Sequence, residues 1–233
     1  MGDLGFTLKK ELFKSGASMV KFADLRDVEE SRLNKMTYGI SIAVALNPFI
    51  ICNIGDGPTK EYHEEYNRVN NKLDTLVEHA GQILQSAGYN TLLKTTSKVE
   101  VNWESLYTTL PHKTVATRAG MGWIGKCALL VTKEFGSAVR FSSLLTDAKL
   151  KTEIPIDKSY CGNCHICKDF CPAGAPLGIN WRIGFKRENF FDAFKCKNMA
   201  DKICKAKGIK DTICGKCIEV CPWTKKYLRK RGL

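Results

Sequence analysis

The 233-residue chain carries 36 Lys/Arg against 24 Asp/Glu, a formal net charge of +12, and 11 cysteines. No stretch approaches the ~20 consecutive apolar residues of a bilayer-spanning helix, and Met1–Phe6 lacks the basic and apolar regions of an export signal. A secreted disulfide framework is therefore disfavoured, and a thiol-rich protein of the reducing cytoplasm is expected, without a membrane.

Residues 6–16 read as a short amphipathic helix ended by Gly16. Residues 17–23 follow as a first strand, with Met19 and Phe22 as its burial candidates. Residues 31–35 form a polar, helix-compatible connection. The near-continuous apolar run Tyr38–Leu46 has the character of a strand covered on both faces, which asks for helices above and below it. After a turn at 53–58, a long helix is predicted over residues 59–87, closed by Gly88. Its apolar positions, from Tyr62 through Leu73 and Leu76 to Leu84, are spaced mostly by three and four and share one stripe. His63 and His79 flank that stripe as surface residues. Three more strands are predicted, at 89–93, 128–132 and 139–145, the last two joined across the turn at Phe135-Gly136. The predicted class for residues 1–150 is an α/β layer holding cofactor or substrate.

Between these strands, Gly120-Met-Gly122-Trp123-Ile-Gly125-Lys126 gathers three glycines beside an aromatic and a cation. Glycines so spaced let backbone approach something flat or phosphorylated, and they equally let a helix meet a strand. The stretch is not a Walker loop, because Cys127 stands where Ser or Thr is needed.

Residues 151–233 form the second predicted domain. Nine of the eleven cysteines lie between Cys161 and Cys221. Cys161, Cys164, Cys167 and Cys171-Pro172 have the C-x2-C-x2-C-x3-C-P spacing of two-cluster ferredoxins, in which the fourth cysteine serves the neighbouring cluster. A second run, Cys214, Cys217 and Cys221-Pro222, repeats the ending. Crossing the two runs assigns one [4Fe–4S] cluster to Cys161, Cys164, Cys167 and Cys221. The other takes Cys171, Cys214, Cys217 and Cys196, with Cys204 in reserve for the last place. Zinc knuckles rarely use the third cysteine or the Cys-Pro ending. Cys52 and Cys127 lie outside the spacing and default to buried, inert thiols. His165, inside the first run, is a neighbouring donor or a surface residue rather than a ligand.

The same 83 residues hold 18 Lys/Arg against 8 Asp/Glu, a net charge of +10. A cluster with four thiolates carries about −2, so two leave the segment positive. Such a face suits a polyanion such as RNA, although a solvated lysine-rich surface reads the same way.

Taken together, the stretch His112–Asp147 (Ala-Gly-Met-Gly-Trp-Ile-Gly-Lys, Phe135-Gly136, Leu145-Thr-Asp147) and the runs ending Cys171-Pro-Ala-Gly-Ala and Cys221-Pro-Trp resemble the epoxyqueuosine reductase family, relatives of the reductive dehalogenases. The resemblance implies a nitroreductase-like α+β layer followed by a ferredoxin-like domain with two [4Fe–4S] clusters. It implies an oxidoreductase that takes electrons from a low-potential donor and passes them to base-off cobalamin, reducing epoxyqueuosine in a tRNA anticodon loop. By the same resemblance Gly120, Gly122, Trp123, Gly125 and Lys126 lie near the corrin, and the basic third helps hold tRNA. Three features depart from the pattern. Residues 106–109 (Leu-Tyr-Thr-Thr) offer no carboxylate where the family keeps its proton-donating aspartate, and Glu104 is out of register. His112-Lys113 stands for Glu-Arg, and the sequence lacks the helical-repeat segment of long members. Catalytic residues are left unassigned. Two other readings stay open: an electron carrier serving a partner enzyme, and a corrinoid-free reductase of a different small substrate.

Overall fold

The computed structural model describes residues 3–29, 35–95 and 102–233. The predicted connection at 31–35 lies outside them except for Lys35. The chain divides into two compact units, each discontinuous in sequence. The first comprises Met1–Val44, Val69–Met121 and Arg140–Ile156; the second comprises Ala45–Arg68, Gly122–Val139 and Asp157–Leu233.

The first unit is built on a four-stranded sheet of order β1-β2-β6-β3, from strands Met19–Asp24 (β1), Tyr38–Ala45 (β2), Thr91–Lys94 (β3) and Val139–Thr146 (β6). β1 pairs antiparallel with β2, Phe22 opposite Ile40, and β3 pairs antiparallel with β6, Leu93 opposite Leu144. This is a mixed helix-and-sheet layer rather than a parallel one. β2 buries six consecutive residues, Gly39–Val44, as a strand covered on both faces must. Each fully buried Ile or Val there contributes about 1.5–3 kcal/mol.

Helix α1 (Leu4–Lys14) starts where the Asp3 carboxylate accepts the Gly5 N–H at 2.9 Å and buries Leu8 and Leu12. Gly16, at φ +94, turns the chain after it. Met19 and Phe22 are both buried. Pro48–Ile51 forms the short α2, which no periodicity announced. The long helix α3 spans Lys60–Ser86. Val69, Leu73, Leu76, Val77, Ala80 and Leu84 are buried along its stripe, whereas Ala87 lies beyond its end and is exposed. α4 (His112–Arg118) packs Val115 into a core with Ala23, Leu25, Leu110, Ala119 and Leu145. Gly39 makes that approach possible, since a Cβ there would meet Val115 Cγ1 at 2.7 Å.

In the second unit, β4 (Trp123–Ile124) pairs antiparallel with β5 (Leu130–Val131) in a separate two-stranded sheet. The strands predicted at 128–132 and 139–145 belong to different sheets. The turn exists, with Thr132 and Gly136 bridged, but β5 turns back onto β4 and β6 joins the larger sheet. The reason is local: Gly125 N–H bonds Leu129 O at 2.8 Å and Ala128 N–H bonds Gly125 O at 2.9 Å, closing the β4–β5 turn first. The remaining elements are short: α5 (Ile166–Asp169), a 3-10 turn (Arg187–Asn189), α6 (Ala193–Ala206), α7 (Lys216–Glu219) and α8 (Pro222–Arg229).

Candidate metal centre

The first cysteine run wraps one tight loop. Gly162 takes φ +54, Cys164 N–H bonds Cys161 O at 3.1 Å, and the single turn of α5 carries Cys167. Cys171 follows that turn, and Pro172 stops its continuation. The second run is arranged alike. Gly215, left-handed at φ +82, starts α7; Cys217 lies within it, and Cys221 precedes Pro222 at the first position of α8.

These loops bring Cys161, Cys164, Cys167 and Cys221 to the lining of one cavity of about 70 Å³, together with Cys217, Cys127 and Lys126. Cys221 is 50 residues or more from the other three in sequence, yet the fold gathers all four. Val131, Pro222 and Trp223 supply apolar wall. Behind it Trp123 is fully buried, edge-on to Trp223 at 5.0 Å and to Tyr160 at 5.2 Å, and its indole N–H has no hydrogen-bond partner.

A second set lies around α6. Asp192 caps that helix by accepting the Lys195 N–H at 2.9 Å. Cys196, in the first turn, packs with Cys171 against Ile124, Ala128, Ala175, Phe190 and Phe191. Burial, with Cys171 and Cys214 nearby, pushes the Cys196 thiol up to about 11. Cys214 is raised by burial too. Cys204, in the last turn, is 2% exposed, and its thiol donates to Ile213 O at 3.0 Å. It is already satisfied within the backbone.

All eleven cysteines are free thiols. The hydrogen bond with Cys127 and then burial raise the Cys167 thiol, while the Lys126 charge works the other way. Burial leads the rise at Cys221. Loading metal here must displace protons, as thiolate coordination always does. Soft thiolates in apolar surroundings suit iron–sulfur chemistry, and four of them around one cavity fit a cubane. Among the described residues no three His, Cys, Asp or Glu side chains are gathered for a single metal ion.

On the side where a Cβ would sit, the glycine-rich stretch is packed against the chain itself. A Cβ on Gly120 would meet Ile154 O at 2.4 Å, and one on Gly122 would meet Val131 O at 2.3 Å. Gly125 faces Val131 Cγ2 at 2.9 Å, and Trp123 and Lys126 are buried. These glycines admit the chain's own backbone, and within the second unit Gly125 and Lys126 line the thiol cavity.

Other residues fall where their side chains dictate. Cys127 is not isolated: its thiol lies beside those of Cys167 and Cys217. Its adjacency to Lys126 was the available signal. Cys52 donates to Phe49 O at 3.3 Å, and His165 is exposed. His63 is half-buried and contacts Asp211 at 2.6 Å; His79 meets Ser15 Oγ at 3.2 Å. Glu104 is exposed.

No family model matches the chain. It is 33% identical over 168 residues to the epoxyqueuosine reductase of Lactococcus garvieae (strain Lg2), covering 71% of this chain and 42% of that protein. To the epoxyqueuosine reductase of Synechococcus sp. (strain CC9605) it is 29% identical over 199 residues, covering 80% and 56%. Among solved structures, an epoxyqueuosine reductase with an epoxyqueuosine-modified tRNA-Tyr stem loop superposes with a TM-score of 0.58, at 23% identity over 94% of this chain and 66% of that one. A reductive dehalogenase, NpRdhA, in complex with 3-bromo-4-hydroxybenzoic acid superposes with a TM-score of 0.71, at 16% identity over 96% and 32%. The chain spans about two fifths of the length of the first curated relatives it matches. On these similarities the chain belongs to an epoxyqueuosine reductase-like family.

Proposed function

We propose that this chain is an iron–sulfur reductase of the epoxyqueuosine reductase type. In this reading residues 151–233 hold two [4Fe–4S] clusters and residues 1–150 serve the substrate or a further cofactor. Cys161, Cys164, Cys167 and Cys221 hold the first cluster; Cys171, Cys196, Cys214 and Cys217 hold the second. The observation that carries the proposal is the convergence of Cys221 with the three cysteines of the distant first run on one thiol-lined cavity. When bound, the clusters supply one-electron transfer from a low-potential donor in the reducing cytoplasm. The protein's own part is to supply thiolates, exclude water with Trp123, Trp223 and Val131, and fix the loops through Gly162, Gly215 and the two Cys-Pro endings.

Cobalamin is a candidate further cofactor by family, and at Gly120 and Gly122 the side where a Cβ would sit already meets the chain's own backbone. A tRNA substrate is supported by the curated relatives and by the net charge of +10 over residues 151–233. With no carboxylate at 105–111 to supply a proton, an electron-transfer role toward a partner enzyme is the second reading. The test is anaerobic reconstitution. The wild type should bind about eight iron atoms per chain. Cys221→Ser should remove the cluster of Cys161, Cys164 and Cys167 and leave the other. Loss of the Cys214/Cys217 cluster instead breaks the crossed assignment. Turnover of an epoxyqueuosine-containing stem loop under low-potential reductant separates the reductase from the carrier.

A further inference from the structure

Lys126 is 2% exposed and lines the cavity that Cys161, Cys164, Cys167 and Cys221 line. An ammonium withdrawn from water costs several kcal/mol unless an anion opposes it. Among the described residues no carboxylate pairs with Lys126. Its cavity neighbours are thiols and apolar side chains.

The backbone under Lys126 is fixed. It sits in the turn closed by the Gly125–Leu129 and Ala128–Gly125 hydrogen bonds, and Gly125 has no room for a side chain against Val131. The backbone therefore keeps Lys126 at the wall of the cavity. A cation buried at that wall, with no carboxylate partner among the described residues, takes its counter-ion from whatever fills the cavity. A cubane with four thiolates carries about −2, one more negative when reduced.

We infer that Lys126 is the buried counter-charge of the first cluster, raising its reduction potential so that it more readily accepts an electron from a low-potential donor. This rests on the iron–sulfur reading above. The step is a one-electron reduction: the donor is oxidised by one electron, the first cluster gains it, and no bond is made or broken. Lys126 is a positioning and tuning residue, not a ligand.

The experiment is a redox titration of the reconstituted chain, followed by electron paramagnetic resonance, in wild type, Lys126→Met and Lys126→Arg. In Lys126→Met the cluster that Cys221→Ser removes should become at least tenfold harder to reduce, a fall of about 59 mV or more for a one-electron couple. The other cluster should move by less than a third of that. Lys126→Arg, which keeps the charge, should stay within about threefold of wild type. Failure of Lys126→Met to load this cluster, with Lys126→Arg loading both, also supports the inference. Equal midpoints in Lys126→Met and wild type overturn it, as does a shift confined to the other cluster. Equal failure of both variants overturns it too, because packing rather than charge is then at stake. A wild-type chain that loads no cubane overturns the iron–sulfur reading itself.

Discussion

In the sheet unit, β2 buries six residues in a row and α3 lays six apolar side chains along one stripe. In the cysteine unit, the candidate ligands lie on the first turn of α6, in turns, and on α5 and α7, which are four residues each. Helices that short have no stability of their own. The sheet unit draws its free energy from apolar area. The cysteine unit also buries apolar side chains, Trp123, Leu130, Val131, Phe190, Phe191 and Leu228 among them, and adds close backbone contacts around its thiols. The same polypeptide thus has one part stabilised by burial and, in the reading proposed above, another whose folding is also linked to the metal its thiols would bind.

The largest effect that would sharpen this contrast is loss of a whole cluster. Cys196 and Cys204 occupy opposite ends of α6, and only Cys204 is already satisfied by a backbone carbonyl. Cys196→Ser should lose about four of the iron atoms per chain, whereas Cys204→Ser should keep both clusters. Iron analysis after anaerobic reconstitution reads the difference. Iron loss in Cys204→Ser alone would move the eighth ligand to the far end of the helix.

A smaller effect tests the close backbone contacts. Gly136 has φ +59, and a Cβ there would meet Thr224 N at 2.2 Å and Trp223 C at 2.5 Å. Neither backbone atom can retreat, because Thr224 Oγ1 accepts the Ser137 N–H at 3.1 Å. Gly136→Ala should destabilise the reconstituted protein by about 3 kcal/mol or more. Gly174→Ala, at the same kind of φ (+60) but with open space around its Cβ, should cost only about 1 kcal/mol. Denaturant midpoints give both values, and equal costs would mean that φ rather than crowding governs these turns.

The contrast also explains what could be read before folding. Elements of the sheet unit announce themselves by periodicity, so β2 and α3 were placed within a residue or two at each end. Cysteine spacing pointed to a thiol centre that the fold gathers at Cys161, Cys164, Cys167 and Cys221, because ligand spacing is a local constraint. Partner choice between strands was not legible. β5 is two residues long, and its pairing with β4 depends on the turn at Gly125–Ala128, which carries no periodic signal. Nor could the burial of Lys126 be read. A Gly-Lys in a turn looks solvated until Val131, Trp223 and the cysteines line the same cavity. Cys127, outside any spacing rule, came to lie beside Cys167 and Cys217 by the same turn.

The smallest effect belongs to the sheet unit and distinguishes its response to acid from that of the thiol centre. His112, at the start of α4, shares a hydrogen bond between Nδ1 and Ser143 Oγ at 2.8 Å, and its Nε2 is buried without a partner. Burial, reinforced by Lys94 and Arg140 and opposed by Asp74, lowers its pKa to about 4. The neutral ring is the folded form. Unfolded, the imidazole takes up a proton near pH 6.5, so the unfolded state binds more protons between pH 6.5 and 4. The stability this preference contributes is fully present above pH 6.5, falls as the pH drops toward 4, and changes no further below it. Its full span is about 2–3 kcal/mol after allowing for partial exposure. His112→Gln retains an amide to bond Ser143 and does not titrate. Carboxylates elsewhere titrate in both proteins and cancel in the difference. Denaturant unfolding of the metal-free chain at pH 7.5 and pH 5 should show wild type losing about 1–2 kcal/mol more than His112→Gln. Parallel losses in the two would mean that the imidazole is not held neutral and that the acid sensitivity of the sheet unit lies elsewhere.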